Sequence, residues 1–285
     1  MSRQIRSIDE DKKFKVIIIG DSSIGKTCLV ERYISNRFLE NPKPTIGAEI
    51  TKQQEIVTIK ATPDKENPGR HHSRQVEYWD LGGHKLFEQI RTSYLRGADG
   101  ILLCFSLNDS RSIAGEDLTV ADNHSIDRSL KEMSIALMDQ VKEIPILLVG
   151  TKGDLEMKVS DREVDREVKK LRKEGLNILS YEIAPDNSPR IYGKYHETLG
   201  RPWETEKWRN GRGWLSTSSK TGENVKIAFE VLIRSLFEQS ALTIEERLRK
   251  VPEIDEQKDP SGQAADHEKS DGESPRKKRD LERVW

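Results

Sequence analysis

The stretch that most constrains this chain is G-D-S-S-I-G-K-T, which occupies residues 20–27. The apolar run at residues 14–19 is typical of a buried strand, and residues 28–35 have the apolar spacing of a helix. A strand, a tight loop and a helix start form the setting of the phosphate-binding sequence G-x-x-x-x-G-K-[ST]. Gly20 and Gly25 would let the backbone approach a phosphate closely. An accidental match in an ordinary strand-to-helix loop is the alternative interpretation.

Residues 20–27, the phosphate loop from here on, also carry side chains suited to phosphate chemistry. Lys26 would reach the β- and γ-phosphates, and the hydroxyl of Thr27 would bind Mg²⁺. The helix N-terminus would add partial positive charge at the same place. The residues that we expect to hold the phosphates, largely through backbone N–H groups, are Asp21, Ser22, Ser23, Ile24, Gly25, Lys26, Thr27 and Cys28.

Composition excludes several other classes of protein. The 285 residues include 48 Lys and Arg against 49 Asp and Glu, so no overall positive field indicates a nucleic-acid partner. Cys28 and Cys104 both lie in apolar segments, which predicts reduced core residues and no disulfide framework. No run approaches the ~18 apolar residues of a membrane span, and the first fifteen residues lack the apolar stretch of a signal peptide. We therefore expect a cytoplasmic protein.

Strand and helix patterns alternate along the chain, which predicts an α/β fold with a mostly parallel sheet flanked by helices. Six strands are expected, at residues 14–19, 46–61, 75–79, 98–107, 144–149 and 214–217. Helices are expected at residues 27–35, at about 123–142, and from 224 to about 239, where the apolar pattern could continue to Pro252. Another helix should begin at a capping box formed by Ser160 and Glu163 and run toward Gly175.

One main domain at residues 14–251 accounts for these elements, with two insertions. The first, at about 62–74, is rich in turn residues and predicts a hairpin loop. The second, at about 176–213, has no clear period and is rich in tryptophan, with Trp203, Trp208 and, at its exit, Trp214. These tryptophans could form a small core that anchors the insertion, which we favour, or a surface for a partner. Residues 1–13 are expected to be flexible, and residues 252–285 to be a charged disordered tail.

Two further features suit a metal ion and a γ-phosphate. Asp80, Leu81, Gly82 and Gly83 follow a strand, so Asp80 could hold Mg²⁺ through water and the Gly83 N–H could reach the γ-phosphate. Thr45 lies nineteen residues after Lys26 in a proline-flanked loop, where its hydroxyl could complete the Mg²⁺ shell. Taken alone, each of these features could equally be an ordinary turn or loop.

Two other strand ends carry candidates for binding a base. In T-K-G-D at residues 151–154, the Asp154 carboxylate could accept hydrogen bonds from N1 and the 2-amino group of guanine, donors that adenine lacks. A simple strand-end turn is the alternative. Residues 218–220, Ser-Ser-Lys, also follow a strand and could offer backbone N–H groups to the guanine O6.

Together these motifs resemble the Ras-like small GTPases, over roughly residues 14–239. The phosphate loop, with Ser22 in its third position, is similar to Rab proteins, and W-D-L-G-G is similar to Arf-type proteins. The segments that carry the resemblance are GDSSIGKT, PTIG with Thr45, WDLGGH with Asp80 and Gly83, TKGD with Asp154, and SSK with Ser218.

The resemblance implies a P-loop NTPase fold and a switch that is on with GTP and off with GDP, with Mg²⁺ as cofactor. Effectors, exchange factors and GTPase-activating proteins would be its partners. Phe38 would lie edge-on to the base, and Lys152 and Lys220 would cover the two faces of the guanine. The further nucleotide contacts implied are Thr151, Asp154, Ser218 and Ser219, and the metal ligands are Thr27, Thr45 and Asp80. The catalytic residues would be Lys26, Thr45, Gly83 and His84.

Three departures from the family pattern matter. Thr151 replaces the usual Asn, as in Rho-like members, so nucleotide binding should survive. His84 stands where a glutamine usually positions the attacking water, so a GTP-binding module with negligible hydrolysis, or a scaffold with constitutive GTP, are alternatives. No Cys lies near the C-terminus and Ser2 replaces the glycine of a myristoylation signal, so we expect no lipid anchor and at most peripheral membrane contact.

Overall fold

A computed structural model describes residues 13–59, 70–113, 126–186, 188–194 and 202–249. Its main sheet has six strands in the order β2-β3-β1-β4-β5-β8, and every neighbouring pair is parallel except β2 with β3. This confirms the predicted fold class. The strands of this sheet are β1 Phe14–Ile19, β2 Ala48–Ile59, β3 Arg70–Leu81, β4 Gly100–Ser106, β5 Ile146–Thr151 and β8 Trp214–Ser216. A separate antiparallel pair consists of β6 Ser180–Ile183 and β7 Pro189–Tyr192.

Helices cover both faces of the main sheet because the central strands are apolar on both sides. On one face, Val16 and Ile18 of β1 pack in the same core as Leu29 and Phe229. On the other face, Ile17 and Ile19 pack in a second core with Leu95, Met133 and Val164. The helices are α1 Lys26–Ser35, α2 Glu88–Leu95, α3 Ile126–Leu137, α4 Asp161–Lys173, α5 Pro202–Asn210 and α6 Val225–Arg249. Thus α1 and α6 lie on one face, and α2, α3 and α4 on the other. Cys28 and Cys104 are free and buried, as predicted.

The predicted capping box is confirmed at the start of α4. The Ser160 hydroxyl accepts from the Glu163 N–H at 3.3 Å, and the Glu163 carboxylate accepts from the Ser160 N–H at 2.8 Å. These reciprocal bonds satisfy backbone donors that the first helical turn leaves unpaired. No helix in the described residues is both long enough and apolar enough to cross a membrane.

Several predicted boundaries are wrong. The second strand begins at Ala48, because Gly47 turns the backbone with a φ of 71°. The predicted hairpin loop at 62–74 is too long, since residues 70–74 belong to β3 and pair with β2 as far as Ile59. The rest of that loop lies outside the described residues. The helix expected at 123–142 ends as α3 at Leu137, and a 3-10 helix, Met138–Lys142, follows it.

The second insertion contains β6, β7 and α5, and both Trp208 within it and Trp214 at its exit, the first residue of β8, are buried. The Trp208 side chain donates its indole N–H to the Ile178 carbonyl at 2.8 Å and is 4% exposed. Trp214 is 1% exposed and donates to the Asp165 carboxylate at 3.0 Å. Both positions agree with a small core that anchors the insertion. The side chain of Trp203, the flexible segment expected at residues 1–13 (apart from Lys13) and the tail expected from residue 252 lie outside the described part.

Arg172 of α4 ties the two ends of this insertion together. Its guanidinium donates to the carbonyls of Ile178 and Leu179 at 3.1 and 3.0 Å, where the insertion begins. It also donates to Gly211 at 2.8 Å and Arg209 at 3.3 Å, where the insertion ends. Burial lowers the pKa of Arg172 to about 10, so the side chain remains cationic at neutral pH. One buried cation thus links the start and the end of the insertion to α4, in addition to the pairing of β6 with β7.

We expect Arg172→Met to lower the free energy of unfolding by about 2–4 kcal/mol, because buried carbonyls lose their donors. Arg172→Lys should lower the free energy of unfolding by a smaller amount, because one ammonium can reach some of these carbonyls but not all of them. Urea unfolding followed by tryptophan fluorescence would measure the change. The exposed Arg162 on the same helix is the matched control, and Arg162→Met should remain within about 0.5 kcal/mol of the parent. Equal stability of Arg172→Met and the parent would contradict the anchoring role.

Candidate functional site

The predicted motifs meet at one cavity of about 720 Å³ beside the carboxyl ends of the parallel strands. Sheets of this kind bind ligands at that edge, because the loops that follow the strands converge there. Most of the sequence-predicted site residues line the cavity, namely Ser22, Ser23, Gly25, Lys26, Thr27, Cys28, Phe38, Thr45, Gly83, His84, Thr151, Lys152, Asp154, Ser219 and Lys220. Four others, Asp21, Ile24, Asp80 and Ser218, lie behind this lining.

Glycine is required twice in the phosphate loop for different reasons. Gly20 has φ 148°, and a Cβ there would lie 2.3 Å from the Cys104 carbonyl oxygen of the neighbouring strand. Gly25 has φ 101° and stands immediately before α1, a backbone conformation that other residues rarely adopt. The loop can therefore fold tightly between β1 and α1, with the helix N-terminus directed at its interior.

Lys26 lies across the inside of this loop. Its ammonium donates to the carbonyls of Gly20 at 2.9 Å and Asp21 at 2.6 Å, and the residue is 6% exposed. Burial lowers the pKa of Lys26, and the nearby Asp80 carboxylate acts in the opposite direction. An anionic phosphate at the loop would also favour the charged ammonium.

Three oxygen-bearing side chains from different segments meet beside Lys26. The Thr27 hydroxyl donates to Asp80 Oδ2 at 2.5 Å, and the Thr45 hydroxyl lies 3.1 Å from the same atom and 2.9 Å from the Thr27 hydroxyl. Among the described residues, the other carboxylate oxygen of Asp80 has no hydrogen-bond partner although it is buried. Burial raises the pKa of Asp80, while Lys26 lowers it. Two hydroxyls and a carboxylate with an unpaired oxygen are a donor set that fits Mg²⁺.

The loop after β3 packs directly on the phosphate loop. A Cβ at Gly83 would lie 2.3 Å from both the Asp21 carbonyl carbon and the Ser22 nitrogen, so only glycine fits. His84 follows it, and its exposed imidazole faces the cavity. The imidazole Nδ1 accepts from the Leu86 N–H at 3.3 Å, at the start of a 3-10 helix, Lys85–Phe87. In a neutral ring this leaves Nε2 as the protonated nitrogen, a donor.

The opposite end of the cavity carries the residues expected to bind a base. Asp154 Oδ1 accepts from the Ser218 hydroxyl at 2.7 Å, which joins the two base motifs. The Lys152 ammonium donates to the Ser23 carbonyl at 2.8 Å. Arg32 of α1 donates to the carbonyls of Ser219 and Lys220 at 2.6 and 2.9 Å, which holds the second loop against the first helix.

The Thr151 side chain points into the protein. Its hydroxyl lies 2.5 Å from the Ile24 carbonyl oxygen and 2.9 Å from that of Phe105, to which its single hydrogen can donate, and the residue is 2% exposed. Thr151 thus ties the end of β5 to the phosphate loop. The expectation that nucleotide binding survives the replacement of Asn is compatible with this contact.

Sequence reasoning missed three residues beside the site. Arg91 and Glu132 are buried near the loop after β3, and the Arg128 side chain, 15% exposed, forms an ion pair with Asp21 of the phosphate loop. Arg128 and Glu132 are four residues apart in a segment whose apolar spacing predicted a helix, which was a weak signal for a pair on one face. Their partners on α2 and in the phosphate loop are distant in sequence, so local patterns could not indicate them.

Comparison with known proteins agrees with the motifs and the fold. The family model described as "Ras family" matches residues 15–199 of the chain. Ras-related protein Rab-34 of Rattus norvegicus is 30% identical over 160 residues, which are 56% of this chain and 52% of that protein. Rab-25 of Oryctolagus cuniculus is 27% identical over 225 residues, 79% of this chain and 76% of the relative. Rab-9A of Rattus norvegicus is 27% identical over 195 residues, 68% and 84% respectively. The chain therefore spans about half the length of Rab-34 and more of the other two, and it belongs to the Ras family of small GTPases.

Proposed function

We propose that this protein is a GTP/GDP switch that hydrolyses GTP slowly, with Mg²⁺ as cofactor. The observation that carries the proposal is the convergence of five separate motifs on one cavity. The residues expected to bind phosphate lie at one end of it, and those expected to bind the base lie at the other. Family membership supports guanine nucleotides as the ligand.

The phosphates would lie in the phosphate loop, with Lys26 moving its ammonium from backbone carbonyls to phosphate oxygens. The base would lie between Lys152 and Lys220, with Phe38 at its edge and Asp154 on its N1 and 2-amino groups. Asp154 already accepts from Ser218, so guanine would join an oriented carboxylate. Preorganised acceptors of this kind bind a matching ligand with little rearrangement.

Thr27, Thr45 and Asp80 would hold the metal, and bound Mg²⁺ would supply positive charge beside the phosphate oxygens. Thr45 comes from a loop, whereas Thr27 and Asp80 lie on a helix and a strand. The loop hydroxyl is therefore the member of the set whose position can depend on the nucleotide.

His84 would act at the attacking water. With Nδ1 engaged by the Leu86 N–H, a neutral imidazole can only donate through Nε2, whereas the usual glutamine donates and accepts at once. His84 could therefore orient a water through one hydrogen bond but could not take its proton without leaving Leu86. This limit favours slow intrinsic hydrolysis, and it also supports the second candidate, a GTP-binding module with negligible turnover.

Partners and location follow from the same proposal. Ile46, Leu86 and Ile90 are large apolar side chains at 79%, 80% and 46% exposure on the two loops nearest the cavity mouth and on α2. Apolar side chains on nucleotide-sensitive loops suit effectors and regulators that read the nucleotide state. We place the protein in the cytoplasm with at most peripheral membrane contact.

Asp154 should determine the base. The parent should prefer GTP over ATP on the order of 10⁴-fold, because adenine lacks the two donors for Asp154 and would cover that carboxylate without pairing it. Asp154→Asn should lose guanine affinity and gain affinity for xanthine nucleotides. Competition against a fluorescent GDP analogue measures both, with Glu156→Gln in the same loop as the control. Displacement by ATP at concentrations comparable to GTP would reject the guanine assignment.

The phosphate loop should be the site of binding. Lys26→Ala should abolish stable nucleotide binding, because the cation that faces the phosphates is lost. Thr27→Asn should keep GDP but weaken GTP about 10-fold or more, because it removes a metal ligand. Dissociation of labelled nucleotide from each variant, with the exposed Lys169→Ala as control, would test this. Parent-like GTP retention by both variants would place the site elsewhere.

His84 should control hydrolysis. We expect a single-turnover rate at or below roughly 10⁻⁴ s⁻¹ for the parent, a further fall for His84→Ala, and recovery or a gain for His84→Gln. A cell extract should stimulate the parent if a partner orders the loop. His71→Ala removes an exposed histidine outside the cavity and serves as the control. If His84→Ala matches the parent with and without extract, the binding-module alternative is the better one.

A further inference from the structure

A series of buried charges connects α2, α3 and the phosphate loop. It consists of Arg91 on α2, Glu132 and Arg128 on α3, and Asp21, which we call the buried charge network. The side chains of Arg91 and Glu132 are 2% and 3% exposed, and those of Arg128 and Asp21 are 15% and 6% exposed. Charged side chains are rarely buried this far unless they are paired, because an unpaired buried charge is strongly destabilising.

Arg91 joins α3 to the loop after β3. It binds Glu132 through two bonds, Nε to Oε2 at 2.8 Å and Nη2 to Oε1 at 2.6 Å. Its third nitrogen, Nη1, donates to the carbonyls of Gly82 and His84, each at 2.7 Å. The carboxylate fixes the plane of the guanidinium, so the remaining nitrogen is directed at these two carbonyls.

Arg128 provides the corresponding link to the phosphate loop. Its Nη2 contacts the Asp21 carboxylate and also donates to the Gly83 carbonyl at 3.2 Å. Its Nε lies 3.9 Å from Glu132 Oε1, one turn further along α3. The three successive carbonyls at residues 82–84 are thus all held by two arginines that share Glu132.

These contacts also set the direction of two N–H groups. In a trans peptide the carbonyl and the following N–H point in opposite directions. Arg91 on the Gly82 carbonyl therefore fixes the Gly83 N–H, and Arg128 on the Gly83 carbonyl fixes the His84 N–H. Gly83 and His84 line the cavity, whereas Arg91 and Arg128 do not. The arginines hold the side of the loop that faces α3 while its other side faces the expected γ-phosphate.

We propose that Arg91 and Arg128 are positioning residues, which hold the loop at residues 82–84 against the phosphate loop through the buried charge network. The inference rests on the proposed function, since the Gly83 N–H is useful only if a γ-phosphate lies in the cavity. In this protein the start of the loop is ordered by its own charges even when GDP is bound. The γ-phosphate then meets a preorganised donor and does not have to order the loop itself.

The first test removes the Arg91–Glu132 pair as a unit, because removing one partner would leave a buried charge and could unfold the protein. Arg91→Met/Glu132→Leu should stay folded by circular dichroism and keep GDP dissociation near the parent rate. GTP dissociation should become about 10-fold faster, and single-turnover hydrolysis about 10- to 100-fold slower. Lys131→Met, at an exposed position on the same helix, is the matched control.

Hydrogen exchange of the segment 82–84, the part of the loop that the two arginines hold, gives a readout that needs no hydrolysis. In the parent, its amide exchange with GDP should be within about threefold of that with a GTP analogue, and the double variant should exchange at least ~10-fold faster with GDP. A parent loop that is protected only by the GTP analogue would overturn the proposal. So would a folded double variant with parental exchange, GTP dissociation and hydrolysis.

A double-mutant cycle on the second ion pair, Asp21 with Arg128, tests the proposal if the Arg91/Glu132 variant does not fold. Asp21→Asn, Arg128→Gln and the double variant should show non-additive effects on the ratio of GTP to GDP dissociation rates, coupled by about 5-fold or more. Additive effects would show that Asp21 and Arg128 act independently, which would contradict their role in the buried charge network. If the parent binds and hydrolyses GTP while all variants match it, only the positioning role fails. If the parent binds no guanine nucleotide, both proposals fail.

Discussion

The candidate site depends on how closely the end of β3 approaches the phosphate loop. A side chain at Gly83 would overlap the backbone between Asp21 and Ser22, so this contact exists only because the residue is glycine. The approach brings Asp80 within hydrogen-bond reach of the first helix, and it carries His84 to the cavity. The absence of a side chain at Gly83 therefore allows Asp80, an expected metal ligand, and His84, an expected catalytic residue, to lie at the same site.

Charge is distributed in this protein in a way that its composition hides. The net charge is −1, yet several ionic side chains are buried around one loop, namely Lys26 and Arg91 with Asp21, Asp80 and Glu132, and the Arg128 side chain beside them is only 15% exposed. Such pairs resist rearrangement, because separating two buried partners leaves a charge unpaired away from water.

The sequence predicted the sheet class, five of the six main strands to within about two residues, and the capping box, because these depend on local apolar spacing and local hydrogen bonds. It misjudged the start of β3, because strand pairing with β2 outweighs the turn residues at 70–74. Spacing within motifs also predicted many of the residues that line the cavity, but not those of the loop at residues 39–44. The sequence could not predict Arg128 beside Asp21 or Arg172 across the insertion, since each contact joins segments that only the folded sheet brings together.

Thr151 shows how a departure from the family pattern can keep the site connected. Its hydroxyl bonds to the Ile24 carbonyl in the phosphate loop, and three residues later Asp154 binds Ser218. Lys152 adds a bond to Ser23, so the segment expected to recognise the base is fastened to the segment expected to hold the phosphates. A hydroxyl is short enough to make this bond from within the core, where the residue is 2% exposed. Side chains of one short segment therefore hold the expected base end of the site and the phosphate loop in fixed positions relative to each other.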